Sequence, residues 1–205
     1  MDEKKLELIE RASAVFMKFG IKSVTMDDLS RELGISKKTF YKYFDDKNDL
    51  VYSTIDAKIN MDKAACIACT VSTGNAIEAL VSISRFVIEH FSKVNPTVFY
   101  DLKKHHPDAW KLMDQHRWEF VLENIHSNIL KGIEEGLYRE NLNSKIIARY
   151  YVASFDIIMD AEVYPWPEFK PDNIVAQIHR FQIRGMASDK GLLYIKENFN
   201  SEINE

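Results

Sequence analysis

Apolar residues recur along this chain at steps of three and four, segment after segment, and no run alternates apolar and polar residues as a half-buried strand does. The pattern predicts an all-α protein. A first helix spans about Glu3 to Phe19, with Ile9, Ala12, Phe16 and Phe19 on one stripe and Gly20 placed to end it. Val24-Thr25-Met26-Asp27-Asp28-Leu29 then reads as a helix start, with Thr25 as N-cap, Asp28 at the third helical position and Val24 stapled to Leu29. Gly34 stops that helix. Ile35-Ser36-Lys37-Lys38-Thr39-Phe40 repeats the grammar, Ser36 capping and Ile35 stapled to Phe40. Two short helices joined by a tight turn containing Gly make a helix-turn-helix unit.

The second of these helices, about Lys37 to Phe44, buries Phe40 and Phe44 one turn apart, so Lys38, Thr39, Tyr41 and Lys42 point away from the core. From Ser36 to Tyr43 there are three lysines and no acid. A compact basic face carrying hydroxyls and an aromatic, on a helix short enough for a major groove, is the electrostatic footprint of DNA binding. Capping alone also accounts for Thr25 and Ser36, and phosphate contact is compatible with it. Lys47 follows Asp46 as the expected N-cap and opens the next helix, whose N-terminal N–H groups favour a phosphate.

Further along, a fourth helix from about Lys47 towards Cys69 connects this head to a body, and Ser72-Thr73-Gly74-Asn75 is the clearest break. The expected division is a DNA-binding domain over 1–50, a connecting helix to about 73, and a helical domain over 74–205. Body helices are expected over about Ala76 to Val94, Pro96 to Lys104, His106-Pro107 to Glu135, Ser144 to Val163 and Asp172 to Met186. The last two are apolar over arcs wider than one core face needs, through Ile147, Tyr150, Tyr151, Ser154 and Ile158, and through Ile174, Val175, Ile178, Phe181 and Met186. Such arcs call for a second packing partner. Ser188 onward adds at most a short helix.

Composition narrows the function classes. The 205 residues carry a formal net charge of -4 and 46% hydrophobic residues, an ordinary globular balance. No apolar stretch matches a membrane span or secretory signal, so a cytoplasmic protein without membrane contact is expected. The chain lacks G-x-S-x-G, a P-loop and a dinucleotide fingerprint, so neither an enzyme nor a cofactor is expected. Asp101, His105, His106 and His116 invite a metal reading, but Pro107 breaks their run and no two-His motif is present, so no metal site is assigned. Cys66 and Cys69 form a lone C-x-x-C, either a thiol sensor or inert thiols. Of the 24 aromatic residues, 17 follow Asn75. Phe91, Phe99, Trp110, Trp118 and Phe155 are candidate pocket residues for a flat or apolar effector, the alternative being a plain aromatic core.

Taken in order, Phe16-Met17-Lys18-Phe19-Gly20, Val24 to Leu29, Gly34 to Phe44 and Lys47-Asn48-Asp49-Leu50 resemble the tetracycline-repressor (TetR) family of bacterial transcription regulators over about a quarter of the chain. The resemblance implies a homodimer joined through its last two long helices, with each recognition helix in a major groove of a palindromic operator. It also implies a C-terminal domain that holds a small-molecule effector. Residue by residue, it implies phosphate contacts from Thr25, Lys42, Tyr43 and Lys47, and base-edge or groove contacts from Ser36, Lys37, Lys38, Thr39 and Tyr41. Lys38 departs from the small residue common at that position, so it either reaches the DNA or tilts the helix. The expected function is a sequence-specific, homodimeric repressor released by a small ligand. The alternative is an architectural or protein-partner-controlled DNA-binding factor without a small-molecule inducer.

Overall fold

The computed structural model describes residues 2–95, 97–165 and 167–199, with the backbone alone for Phe91. Helices follow one another as α1 (Glu3–Phe19), α2 (Met26–Leu33), α3 (Lys37–Tyr41), α4 (Lys47–Val71), α5 (Ala76–Phe91), α6 (Thr97–His105), α7 (Pro107–His116), α8 (Leu122–Glu134), α9 (Ser144–Ile158), α10 (Pro171–Met186) and α11 (Asp189–Asn198). The fold is all-α. Among the described residues the only β-type pairing noted is an isolated bridge between Tyr138 and Ala187, and no helix is long and apolar enough to cross a membrane.

Two compact units divide the chain. The first runs up to Asp62 and takes in Lys93–His116; the second comprises Lys63–Ser92 and the segment from Arg117 onward. This differs from the division expected at residues 73–74, and the reason is packing. Val98 and Leu102 of α6 and Ala109 of α7 are buried in one core with Leu8, Phe16, Phe40 and Leu50, so α6 and α7 belong to the first unit. α4 is shared along its length by both units.

Polar contacts reinforce that packing. The N–H of Asn95 donates to the Met17 carbonyl (2.7 Å), and the buried carboxylate of Asp101 accepts the Lys22 N–H (2.8 Å). Met17 and Lys22 lie at and just beyond the end of α1, where a helix leaves carbonyls unpaired and the following turn exposes N–H groups.

The second unit is built around α5, α8, α9 and α10. Two apolar clusters occur along α5, α9 and α10: one holds Leu80, Val81, Tyr151 and Ile183, the other Val87, Ile158, Ile174 and Val175. Between them along each helix sits a buried polar layer of Ser84, Ser154, His179 and Gln182. The Ser84 hydroxyl lies 2.8 Å from His179 Nδ1, and the Tyr151 hydroxyl 3.3 Å from Nε2. Ser154 donates to the Tyr151 carbonyl (2.6 Å) and accepts from Gln182 Nε2 (3.1 Å). That chain fixes the orientation of the Gln182 amide and leaves its Oε1 buried without a partner among the described residues.

Several expected elements are shorter than the apolar pattern suggests, α5 among them, ending at Phe91 rather than Val94. The helix expected from His106-Pro107 to Glu135 is interrupted at Arg117–Val121 by a π-helical turn. Such a turn adds one residue per turn and resets the phase of the buried stripe. Here it carries Arg117 into the interior, 3.1 Å from Asp156 and with its guanidinium 4.5 Å from the centre of the Phe155 ring. α9 ends at Ile158 rather than Val163, because Asp160–Tyr164 turn back on the Asp160 carbonyl.

Burial pushes the His179 imidazole down to about 4. An unfolded histidine titrates near about 6.5, so the unfolded chain takes up a proton that the folded one refuses. Stability is therefore full above about pH 6.5 and is lost as pH falls towards about 4, by about 3 kcal/mol from this residue. Urea titrations from pH 7 to 4 on the wild type and His179→Gln should show the difference between them shrinking by that amount. A pH-independent difference contradicts the assignment.

Candidate nucleic-acid interface

Local capping sets the helix-turn-helix. Thr25 forms a reciprocal capping box: the Asp28 N–H donates to its hydroxyl oxygen (3.1 Å), while the Asp28 carboxylate accepts the Thr25 N–H (3.0 Å) and O–H (2.6 Å). These hydrogen bonds, the hydroxyl's first, hold the Asp28 carboxyl below its ordinary range. At the far end of α2, Gly34 takes the left-handed conformation at φ 65°, a region costly for a residue bearing Cβ. The Ile35 N–H then reaches back to the Ser30 carbonyl (3.0 Å), and the Arg11 guanidinium caps the Leu33 carbonyl (2.6 Å). Ser36 accepts the Thr39 N–H (3.2 Å), and the two hydroxyls are themselves 2.9 Å apart.

α3 is a five-residue helix ending at Tyr41, shorter than the expected span to Phe44. Phe40 and Phe44 are nonetheless both buried, their ring centroids 6.5 Å apart, because the tight turn after Tyr41 returns Phe44 to the same core. The anchored face leaves Ser36, Lys37, Lys38, Tyr41 and Lys42 exposed and Thr39 and Tyr43 half-buried. Tyr41 is 53% exposed, a large aromatic offered to solvent by a polar helix. Lys37 pairs with Asp27 of α2, whereas Lys38 and Lys42 meet no carboxylate among the described residues. Lys42 extends over the Tyr43 ring with its Nζ 5.3 Å from the centroid.

Lys47 occupies a different environment. Its half-buried ammonium donates to the Ile21 carbonyl (2.6 Å), and desolvation lowers its pKa against the opposing pull of Asp101 and Asp28. The Asp49 N–H caps on Asp46 Oδ1 (2.9 Å), as the position of Asp46 suggested. Thr25, with Lys47 tied to the turn just before it, and the exposed face of α3 thus belong to one unit and present hydroxyls, ammonium groups and one aromatic. This is the chemistry that contacts phosphates and base edges.

Residues beyond that set come from sequence-distant segments. Desolvation, with Lys47 nearby, lowers the His106 pKa, and its buried Nδ1 lies 2.8 Å from Asn48 Oδ1. His106 also lines a cleft of about 610 Å³ with Asn48, Tyr52, His105, Pro107 and Leu112, inside the first unit. None of the five aromatic pocket candidates lines this cleft. Phe99 and Trp110 belong to the first unit and Trp118 and Phe155 to the second, while the side chain of Phe91 lies outside the described residues. Asp101 and His106 are engaged by Lys22 and Asn48, and among the described residues no group of three His, Cys, Asp or Glu is placed to hold a metal. Cys66 and Cys69 are half-buried thiols on α4.

Residues 8–53 match the family described as "Bacterial regulatory proteins, tetR family". Over 174 residues, covering 82% of this chain and 88% of the relative, the sequence is 25% identical to the uncharacterized HTH-type transcriptional regulator YvaF of Bacillus subtilis. It is 24% identical over 160 residues to the HTH-type transcriptional repressor KstR2 of Mycobacterium tuberculosis, covering 73% of this chain and 76% of that one. Among solved structures, the transcriptional regulator FadR from Bacillus subtilis, in complex with stearoyl-CoA, superposes with a TM-score of 0.65 at 16% identity. The match covers 88% of this chain and 98% of FadR. At that identity the likeness is one of fold.

The bond from Lys47 to Ile21 makes a prediction that needs no DNA. Lys47→Ala removes one of the two donors to the Ile21 carbonyl, the Val24 N–H (3.3 Å) remaining, and should lower unfolding free energy by about 0.5–1.5 kcal/mol. Unchanged denaturant midpoints would show that the bond contributes nothing to the fold.

Proposed function

Because the chain belongs to the TetR family of transcription regulators, we propose that it acts as a homodimeric repressor that reads a palindromic operator through α3 and is released by a small molecule. The observation that carries the dimer is the outward face of α9 and α10. Ile146, Tyr150 and Ile157 are 63%, 51% and 51% exposed along one stripe of α9, and Phe181 of α10 is 70% exposed. Gly185, one turn beyond Phe181, has nothing within 4 Å of the place its Cβ would occupy, leaving room for a neighbouring helix. Inward positions of the same helices, Tyr151, Ser154, Ile158, Ile174 and Val175, are already buried. An apolar second face is what a four-helix interface between two copies requires.

Two copies related by a two-fold axis present two recognition helices, and half-sites one DNA turn apart, about 34–36 Å, then follow from the geometry. In this reading Thr25, Tyr43 and Lys42 hold phosphates, and Lys47 does so with the donors left after its bond to Ile21. Ser36, Lys37, Lys38, Thr39 and Tyr41 face the groove. An effector weakens operator binding only if it binds more tightly to an arrangement in which that spacing is wrong. The fold shared with a regulator solved with stearoyl-CoA, and the buried polar layer of the second unit, support an effector site in that unit.

Selection from random duplex DNA should return a palindrome whose binding weakens steeply with salt. On that duplex, Lys42→Ala should weaken binding to all sequences and reduce the salt slope by about 0.9 per protomer, whereas Tyr41→Ala should change the preferred bases. A selection that returns no common sequence contradicts operator reading. Separately, the double variant Tyr150→Asp, Phe181→Asp should sediment as a folded monomer. If it sediments as a dimer, the α9–α10 interface is wrong.

A further inference from the structure

We propose that Lys18, Lys22 and Lys104 form a second basic edge of the N-terminal unit, one that holds phosphates of the DNA flanking the operator rather than the operator itself. The proposal rests on the operator-binding reading above. From Lys18 to Thr25 the sequence contains no acid, and from Lys93 to Lys104 only Asp101. Asp101 is 5% exposed and its carboxylate accepts the Lys22 N–H, so the single acid of the two segments faces inward.

The two segments form one surface. Besides the Lys22–Asp101 bond, Asn95 donates to the carbonyls of Met17 (2.7 Å) and Lys18 (3.4 Å), and a Cβ on Gly20 would stand 2.6 Å from the Thr97 hydroxyl. At about 100° per residue, Thr97, Tyr100 and Lys104 all fall on the same side of Asp101. The position of Thr97 shows that this side borders the end of α1. Lys103 lies about 100° further round the helix than Lys104, and its Nζ is 5.6 Å from the centre of the Trp110 ring.

Both Lys18 and Lys104 sit beside exposed aromatic rings. Lys18 Nζ is 4.8 Å from the centroid of Phe19, and Lys104 Nζ is 5.1 Å from that of Tyr100 and donates to its hydroxyl (2.6 Å). Such contacts limit where the ammonium groups swing while leaving their charge unneutralised. Among the described residues none of Lys18, Lys22 and Lys104 meets a carboxylate. By contrast Lys4, Arg11, Arg31 and Lys37 of the same unit are each ion-paired.

Continuity with the groove-facing surface selects the occupant. Lys22 precedes Thr25 by three residues, at most about 11 Å of chain. Its neighbour Ile21 holds the ammonium of Lys47. The edge therefore continues outward from the place where α2 and α4 are expected to meet the backbone. A run of unpaired cations there meets the next phosphates of the same duplex.

The test compares two duplexes carrying the selected operator, one ending at the palindrome and one extended by about a helical turn on each side. The full-length protein should bind the long duplex more tightly, with a steeper salt slope. Each lysine contact adds about 0.9 to the slope, worth up to about eightfold in affinity at 0.1 M salt. The triple variant Lys18→Ala, Lys22→Ala, Lys104→Ala should lose that gain and bind the short duplex as the wild type does. Lys103→Ala, whose ammonium sits over the Trp110 ring instead, should retain the gain. Thermal melts of each variant check that the fold is intact. Equal binding of the two duplexes by wild type overturns the flanking edge while leaving operator reading intact. A gain that survives the triple substitution also overturns it. Failure of the wild type to bind even the short duplex strikes the operator reading instead.

Discussion

Every helix end leaves backbone groups that need partners, and in this protein the turns around α3 draw several of theirs from far along the chain. The Ile21 carbonyl takes the Lys47 ammonium, the Lys22 N–H takes the Asp101 carboxylate, and the Leu33 carbonyl takes the Arg11 guanidinium. Four helices and a turn are thereby fixed around α3, a helix only five residues long. A helix that short has almost no stability of its own. It persists because Phe40 and Phe44 are buried beneath it and because its flanking turns are tied down.

The second unit follows the same rule. The Glu135 carboxylate accepts the Ala76 N–H (2.8 Å), Asn128 donates to the Ala76 carbonyl (2.9 Å), and Lys190 and Ser188 satisfy the carbonyls of Glu135 and Gly136. Tyr138, fully buried, lies so close to Gly132 that a Cβ there would stand 2.1 Å from its ring. Burial raises the Tyr138 phenol well above its ordinary value, keeping it neutral beside Asn128 and Ala76. In the body Gln182 Oε1 is buried without a partner among the described residues, and the outer α9–α10 stripe is apolar and exposed.

What could be read in the sequence was local. Caps at Thr25 and Ser36, stops at Gly20 and Gly34, and the buried pair Phe40 and Phe44 depend on neighbours within a turn or two, and the structure has each of them in that role. The wide apolar arcs of α9 and α10 were legible too, since the exposed Tyr150 and Phe181 sit beside inward residues at helical spacing. Long-range choices were not. Nothing in periodicity shows that Val98 and Leu102 pack under the recognition unit rather than in the body, or that Arg117 turns inward through a π turn. Nor does the sequence show that the ammonium of Lys47 is held by a carbonyl 26 residues earlier. The five aromatic pocket candidates were chosen by residue type and helical position, neither of which reports which unit a ring joins.

The central claim is that two copies of this helix-turn-helix read DNA together. Hydroxyl-radical footprinting of the protein on its selected duplex tests it most directly. The account predicts two protected patches related by the symmetry of the palindrome and centred about 34–36 Å apart along one face of the helix. A single patch, or continuous protection without a two-fold centre, would contradict it.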